Sequence, residues 1–208
     1  MTVQGYSAAG IQVVEFDESV RTRPVMYFGA ERGDPDLATH VLCAVLAHGL
    51  HPAARVAAAH TPQVRAEIIG DLAFVVSDDR ADALDPLGSA RPGYHGSLLG
   101  AGRWVSAAAG AVSSRTVVEV WRDGRGLRQE LAGLRPVAVP QVIDPPAGAG
   151  TRVSFELDDA YFGQGHAMAG DLTSLDLHGP HCNDPAGPGQ VTLVDFRHEG
   201  DPIVNRYR

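Results

Sequence analysis

Three groups of residues in this chain have the side chains to do chemistry. The first is a stripe on a helical span: His40, Cys43, Ala47 and His51 recur along one face of residues 36–51. His40 and Cys43 could share a metal ion. His51 lies about 12 Å further along the axis at 1.5 Å per residue, too far to join them. A thiol beside an imidazole could also be a nucleophile, although a buried cysteine is ordinarily inert packing. The second group is the late cluster His178, His181 and Cys182, with Asp184 close behind. Its spacing fits no standard zinc pattern and reads as a polar loop. The third is Ser113-Ser114, which lacks the G-x-S-x-G surroundings of a hydrolase nucleophile. No metal site and no cofactor are expected.

The elements that must position these groups follow from pattern. Residues 1–15 read as an extended arm, and a short helix over 17–23 stops at Pro24. Within residues 36–51, Leu37, Val41, Ala44 and Val45 share one face, while Leu42, Leu46 and Leu50 occupy the far side. A helix apolar nearly all round is buried. Residues 63–69 and 72–78 read as strands joined at Gly70-Asp71, and 115–122 with 125–131 as a second hairpin around Asp123-Gly124. A helix fits 99–113. Residues 151–157 and 190–197 are expected to complete an antiparallel sheet, with 79–97 and most of 158–189 as loop. Strands with a few helices on one face make an α+β two-layer sandwich.

Composition narrows the classes. The chain has 208 residues, 44% hydrophobic and 20% charged, which suits one globular domain over 16–208 behind the arm. A net charge of -8 argues against nucleic acid as a partner. No apolar run reaches membrane-spanning length, and the start lacks the basic and apolar regions of a signal peptide. Two distant cysteines suit a reduced, cytoplasmic setting.

Several segments resemble the N-terminal ATPase domain of the type II topoisomerase (gyrase-B-type) family, in the GHKL superfamily. Ser19-Val20-Arg21-Thr22-Arg23-Pro24 and Met26-Tyr27-Phe28-Gly29 keep the order of the family's E-A-V-R-x-R-P-x-M-Y-I-G. VEVWRDGRGLRQEL (118–131) is similar to its strand–turn–strand, and GTRVSFELDDAYF (150–162) to its G-T-x-V-x-F segment. Ser77-Asp78-Asp79 falls at its D-x-G-x-G. The resemblance implies a Bergerat-type fold. It also implies a homodimer in which Tyr6, five positions before Ile11, reaches the partner's nucleotide pocket.

The same resemblance implies lost chemistry. Cys43 stands for the glutamate that orients water, Ala47 for the asparagine that holds Mg²⁺, and His51 for a further acid. Loss of a general base alone costs roughly 10²–10⁴-fold in rate. Arg80, Ala81 and Asp82 replace the glycines and arginine after Asp78, and the loop over 84–96 is shorter than the family's ATP lid. Gly96, Gly100 and Gly102 echo the lid's glycine motif only weakly. The family's next domain has no counterpart in these residues. Asp78 and Thr151 keep the adenine-recognising positions, and Arg122 the pocket mouth. These substitutions point to a non-hydrolysing relative whose pocket, lined by Cys43, Ala47, His51, Asp78, Ala81, Asp82, Leu84, Arg122, Thr151 and Val153, holds a small, largely apolar organic molecule. It would bind such a molecule or cyclise it without a cofactor. The alternative is an interaction or regulatory module that pairs through its arm, with itself or with a true gyrase-B protein.

Overall fold

The structure, a computed structural model, describes residues 14–51, 63–173, 177 and 189–207. Helix α1 (Phe16–Thr22) gives way at Pro24 to a single helical turn, α2 (Val25–Phe28). Proline ends the first helix because it cannot donate, and starts the second because its fixed φ suits a first turn. Helix α3 (Leu37–Leu50) is buried nearly all round, with Leu37, Val41, Leu42, Val45, Leu46 and Leu50 in the core. Strands β1 (Gln63–Gly70) and β2 (Ala73–Asp78) form the first hairpin. The expected 99–113 helix is shorter: a 3₁₀ turn over Ala101–Arg103 leads into α4 (Trp104–Ala111).

Strands β3 (Ser113–Arg122) and β4 (Arg125–Ala132) pair around Asp123-Gly124. Both turn residues have positive φ, 51° and 76°, which explains the Asp-Gly choice. Short β5 (Arg135–Pro136) and β6 (Gln141–Ile143) follow, then β7 (Ala149–Leu157), α5 (Asp159–Phe162), β8 (Gln190–Asp195) and β9 (Ile203–Tyr207). Neither the small strands nor β9 and the two one-turn helices are evident in the sequence pattern.

One mixed sheet runs β5-β4-β3-β7-β2-β1-β8-β9, with β6 also against β4. The expected all-antiparallel sheet is corrected at β8, which lies parallel to β1 with Gln63 opposite Gln190. The two strands are far apart in the chain, so there is length for the return that a parallel pair needs. Alternation then sorts the faces. Val64, Ala66, Ile68, Phe74, Val76, Val118, Val120, Val153 and Phe155 point into one core with α3 and α4, and Arg65, Glu67, Glu119 and Arg152 point away. The fold is therefore α+β, with helices on one side of the sheet. Gly49 lets α3 settle on β1, since a Cβ there would stand 2.8 Å from Val64 Cγ2.

Candidate functional site

The end of β2, the start of β7, helix α3 and the turn before α4 converge on one buried ion cluster. Strand alternation aims Asp78 and Thr151, directly opposed in the β2–β7 register, toward the helices. The 3₁₀ turn over 101–103 aims Arg103 back at them. Arg103 donates from Nη1 to Asp78 Oδ2 at 2.7 Å and from Nη2 to Oδ1 at 2.8 Å, a two-pronged ion pair. Both side chains are 5% exposed. Arg103 Nη2 and the Thr151 hydroxyl also donate to the Arg80 carbonyl, at 3.0 and 2.5 Å. The Arg80 amide donates to Asp78 Oδ1, and its guanidinium lies 3.6 Å from Asp78 and from Asp82. Asp82 sits 3.3 Å from Arg103 Nε.

Charge in this cluster is balanced by contact. Burial pushes the Asp78 carboxyl upward, but Arg103 and Arg80 outweigh it and hold Asp78 below the usual carboxylate value. Burial likewise opposes the Arg103 charge, and Asp78 more than restores it. His48 faces the cluster from α3. Burial and the two arginines lower its pKa to about 4, against the pull of Asp78 and Asp82, so its ring is neutral at pH 7. Its Nε2, with Arg80 Nε and Nη1 and Arg103 Nε, is buried without a hydrogen-bond partner among the described residues.

The expected site residues distribute as follows. Asp78, Asp82 and Thr151 belong to the ion cluster. Val153 and Asp78 line a void of about 10 Å³ with Val45, His48, Gly49, Arg80 and Arg103. That is room for one water at most. The α3 residues on this void are Val45, His48 and Gly49. Cys43 and Ala47, half-buried, lie on the neighbouring stripe, and His51 caps the helix by donating its amide to Ala47. At 100° per residue, a one-residue change of register is enough to carry the stripe off the site. Burial pushes the Cys43 thiol up to about 12, so it is protonated at neutral pH. Ala81 and Leu84 are core residues, each 2% exposed. Arg122 donates to the Ala81 carbonyl at 3.2 Å and borders a separate 300 Å³ cavity with Pro86, Leu87 and Arg125. Tyr6, His178, His181, Cys182 and Asp184 lie outside the described residues.

Sequence reasoning missed Arg103 and His48. Arg103 is hidden because it sits in a Gly-Ala-Gly-Arg run that reads as helix packing. A charged residue flanked by buried small residues is the available signal, since such a group needs a partner. Beyond Arg103, Asp82, Ala83, Arg91, Leu98 and Gly100–Gly102 enclose a further 260 Å³.

The chain matches no protein-family profile. It is 32% identical over 183 aligned residues to the GyrB-type polypeptide of DNA topoisomerase 4 from Caulobacter vibrioides, a similarity covering 77% of this chain. The match spans about a quarter of that polypeptide's length (25%). Homology over this span, carried on a mixed-sheet α+β sandwich, supports a gyrase-B-like domain of the GHKL type.

Proposed function

We propose that this chain is a gyrase-B-like module that does not hydrolyse ATP and that acts by pairing with another protein chain. One observation carries the reading: the carboxylate at the position that the resemblance assigns to adenine is held on both oxygens by Arg103. A nucleotide base would have to displace a buried two-pronged ion pair, and removing one partner from such a pair costs about 3–5 kcal/mol. The loss of catalytic groups does not depend on helix register. Whether the four-residue spacing is read as Cys43 and Ala47 or as Ala44 and His48, it offers neither a carboxylate nor an amide. The relative is by its name part of a topoisomerase, and this chain aligns with a quarter of it.

The test is nucleotide binding and turnover by the purified chain with Mg²⁺. No retained ATP in equilibrium dialysis and no phosphate above a mock preparation are expected. Phosphate release that disappears with Asp78→Asn would sink the reading.

A second reading, a bound small molecule, is favoured by the unpartnered N–H groups of Arg80 and Arg103 beside the 260 Å³ space. Those groups ask for acceptor atoms, so the ligand chemistry shifts from largely apolar toward an oxygen-bearing compound. A polyene folded for cyclisation finds too little room in a 10 Å³ void. Native mass spectrometry decides: a mass added to the intact chain, lost in Arg103→Ala, would favour this reading over pairing alone.

A further inference from the structure

Away from this cluster, the turn over residues 93–97 lies against the start of α1 and brings together three groups the site does not use. His95 Nε2 stands 3.6 Å from Asp17 Oδ1, and His95 Nδ1 stands 4.0 Å from Glu15 Oε2. One donor atom from each of Glu15, Asp17 and His95 lies within 4.8 Å of the other two. Asp17 Oδ1 and His95 Nε2 are also buried without a hydrogen-bond partner among the described residues. At 3.6 Å they face each other beyond hydrogen-bond reach, so each is a desolvated ligand atom left unsatisfied.

Two further contacts hold the arrangement in place without using those atoms. Phe16, between the two carboxylates, stacks on Tyr94 with ring centroids 4.4 Å apart. Arg135 donates to the other carboxylate oxygen, Asp17 Oδ2, at 3.1 Å, leaving Oδ1 turned to the imidazole. The donor set is one imidazole and two carboxylates, which suits Zn²⁺ with water in the fourth place. Bonds of about 2.0–2.1 Å put tetrahedral ligand atoms some 3.4 Å apart, so Glu15 must close by about 1 Å. Its side chain is 62% exposed and free to do so.

We propose that Glu15, Asp17 and His95 form a zinc site that ties the 93–97 turn to the first turn of α1. No pattern in the sequence marks it, because the ligands come from segments far apart in the chain and follow no zinc spacing. His95 has φ +52°, a conformation asparagine also accepts, so His95→Asn removes the imidazole without straining the turn. Glu15→Gln changes an exposed residue.

The test measures zinc bound by the full-length, chelator-treated chain, native and variant, by dialysis and metal analysis, with circular dichroism as the check of folding. Native protein should hold one more zinc than His95→Asn. Glu15→Gln should weaken that ion by at least about 10-fold, the lower end of what changes one shell further out cost. Bound Co²⁺ should show weak bands without thiolate charge transfer, lost in His95→Asn. Equal zinc stoichiometry and affinity in native protein and both variants would overturn the proposal. So would cobalt bands of thiolate character that persist in His95→Asn, since the ion would then sit on a cysteine. If His95→Asn does not fold, an unchanged affinity in Glu15→Gln overturns it alone.

Discussion

A single imidazole shows how the ion cluster sets the behaviour of its neighbours. His48 points from α3 at two guanidinium groups, and its pKa falls from 6.5 to about 4. In the unfolded chain the ring takes a proton as pH drops below 6.5, while in the folded chain it stays neutral until about 4. The unfolded state therefore binds more protons across that window, and stability falls as pH goes from 6.5 to 4. With part of the ring still reached by solvent, the loss is about 1–2 kcal/mol rather than the full shift. His48→Gln carries no titrating ring and should lack this component. Urea unfolding of native protein and His48→Gln at several pH values between about 4 and 7 measures it, and parallel curves would contradict the assignment. Cys43, one stripe away, is protected by burial in the opposite sense and stays a thiol.

The cluster also joins elements. Arg103 leaves the turn before α4 and meets the end of β2 and the backbone after it, while Thr151 ties β7 to the same carbonyl. Arg103→Ala should cost about 3–5 kcal/mol, because Asp78 is left buried and charged. The pair Asp78→Leu with Arg103→Met should cost much less than Arg103→Ala alone, since neither residue then carries charge into the core. Urea midpoints with unchanged slopes give the comparison, and a cost below about 1 kcal/mol for Arg103→Ala would mean the pair is solvated. These elements are legible in the sequence to different degrees. The two hairpins are readable because Gly70-Asp71 and Asp123-Gly124 carry local turn chemistry, and α3 because its apolar residues run all round. The parallel partnership of β1 and β8 is not, since pairing between distant strands leaves no local mark. Nor is the facing stripe of α3: apolar residues on every side leave no polar edge by which to set the rotation. The pattern therefore favours Cys43 for the place that His48 takes.

At the scale of the whole molecule, pairing is the open question, and two surfaces compete for it. One is the arm. Tyr6 and Ile11 lie outside the described residues, and the expectation that this segment crosses to a second copy rests on their spacing and the family resemblance. The other is the open edge of the sheet at β9, where Ile203 and Val204 are exposed and the strand has no outer neighbour among the described residues. An unpaired edge carrying apolar side chains is itself a template for strand addition. Sedimentation separates them. The native chain is expected to run at twice its 21.9 kDa mass, and the chain lacking residues 1–10 at the single mass. Val204→Lys places a charge on the edge strand and should leave the native dimer intact if the arm holds it. If instead the truncated chain still dimerises and Val204→Lys does not, the edge is the interface. A native chain that sediments as a monomer at all concentrations would end the self-pairing form of the reading. The partner would then have to be a different protein.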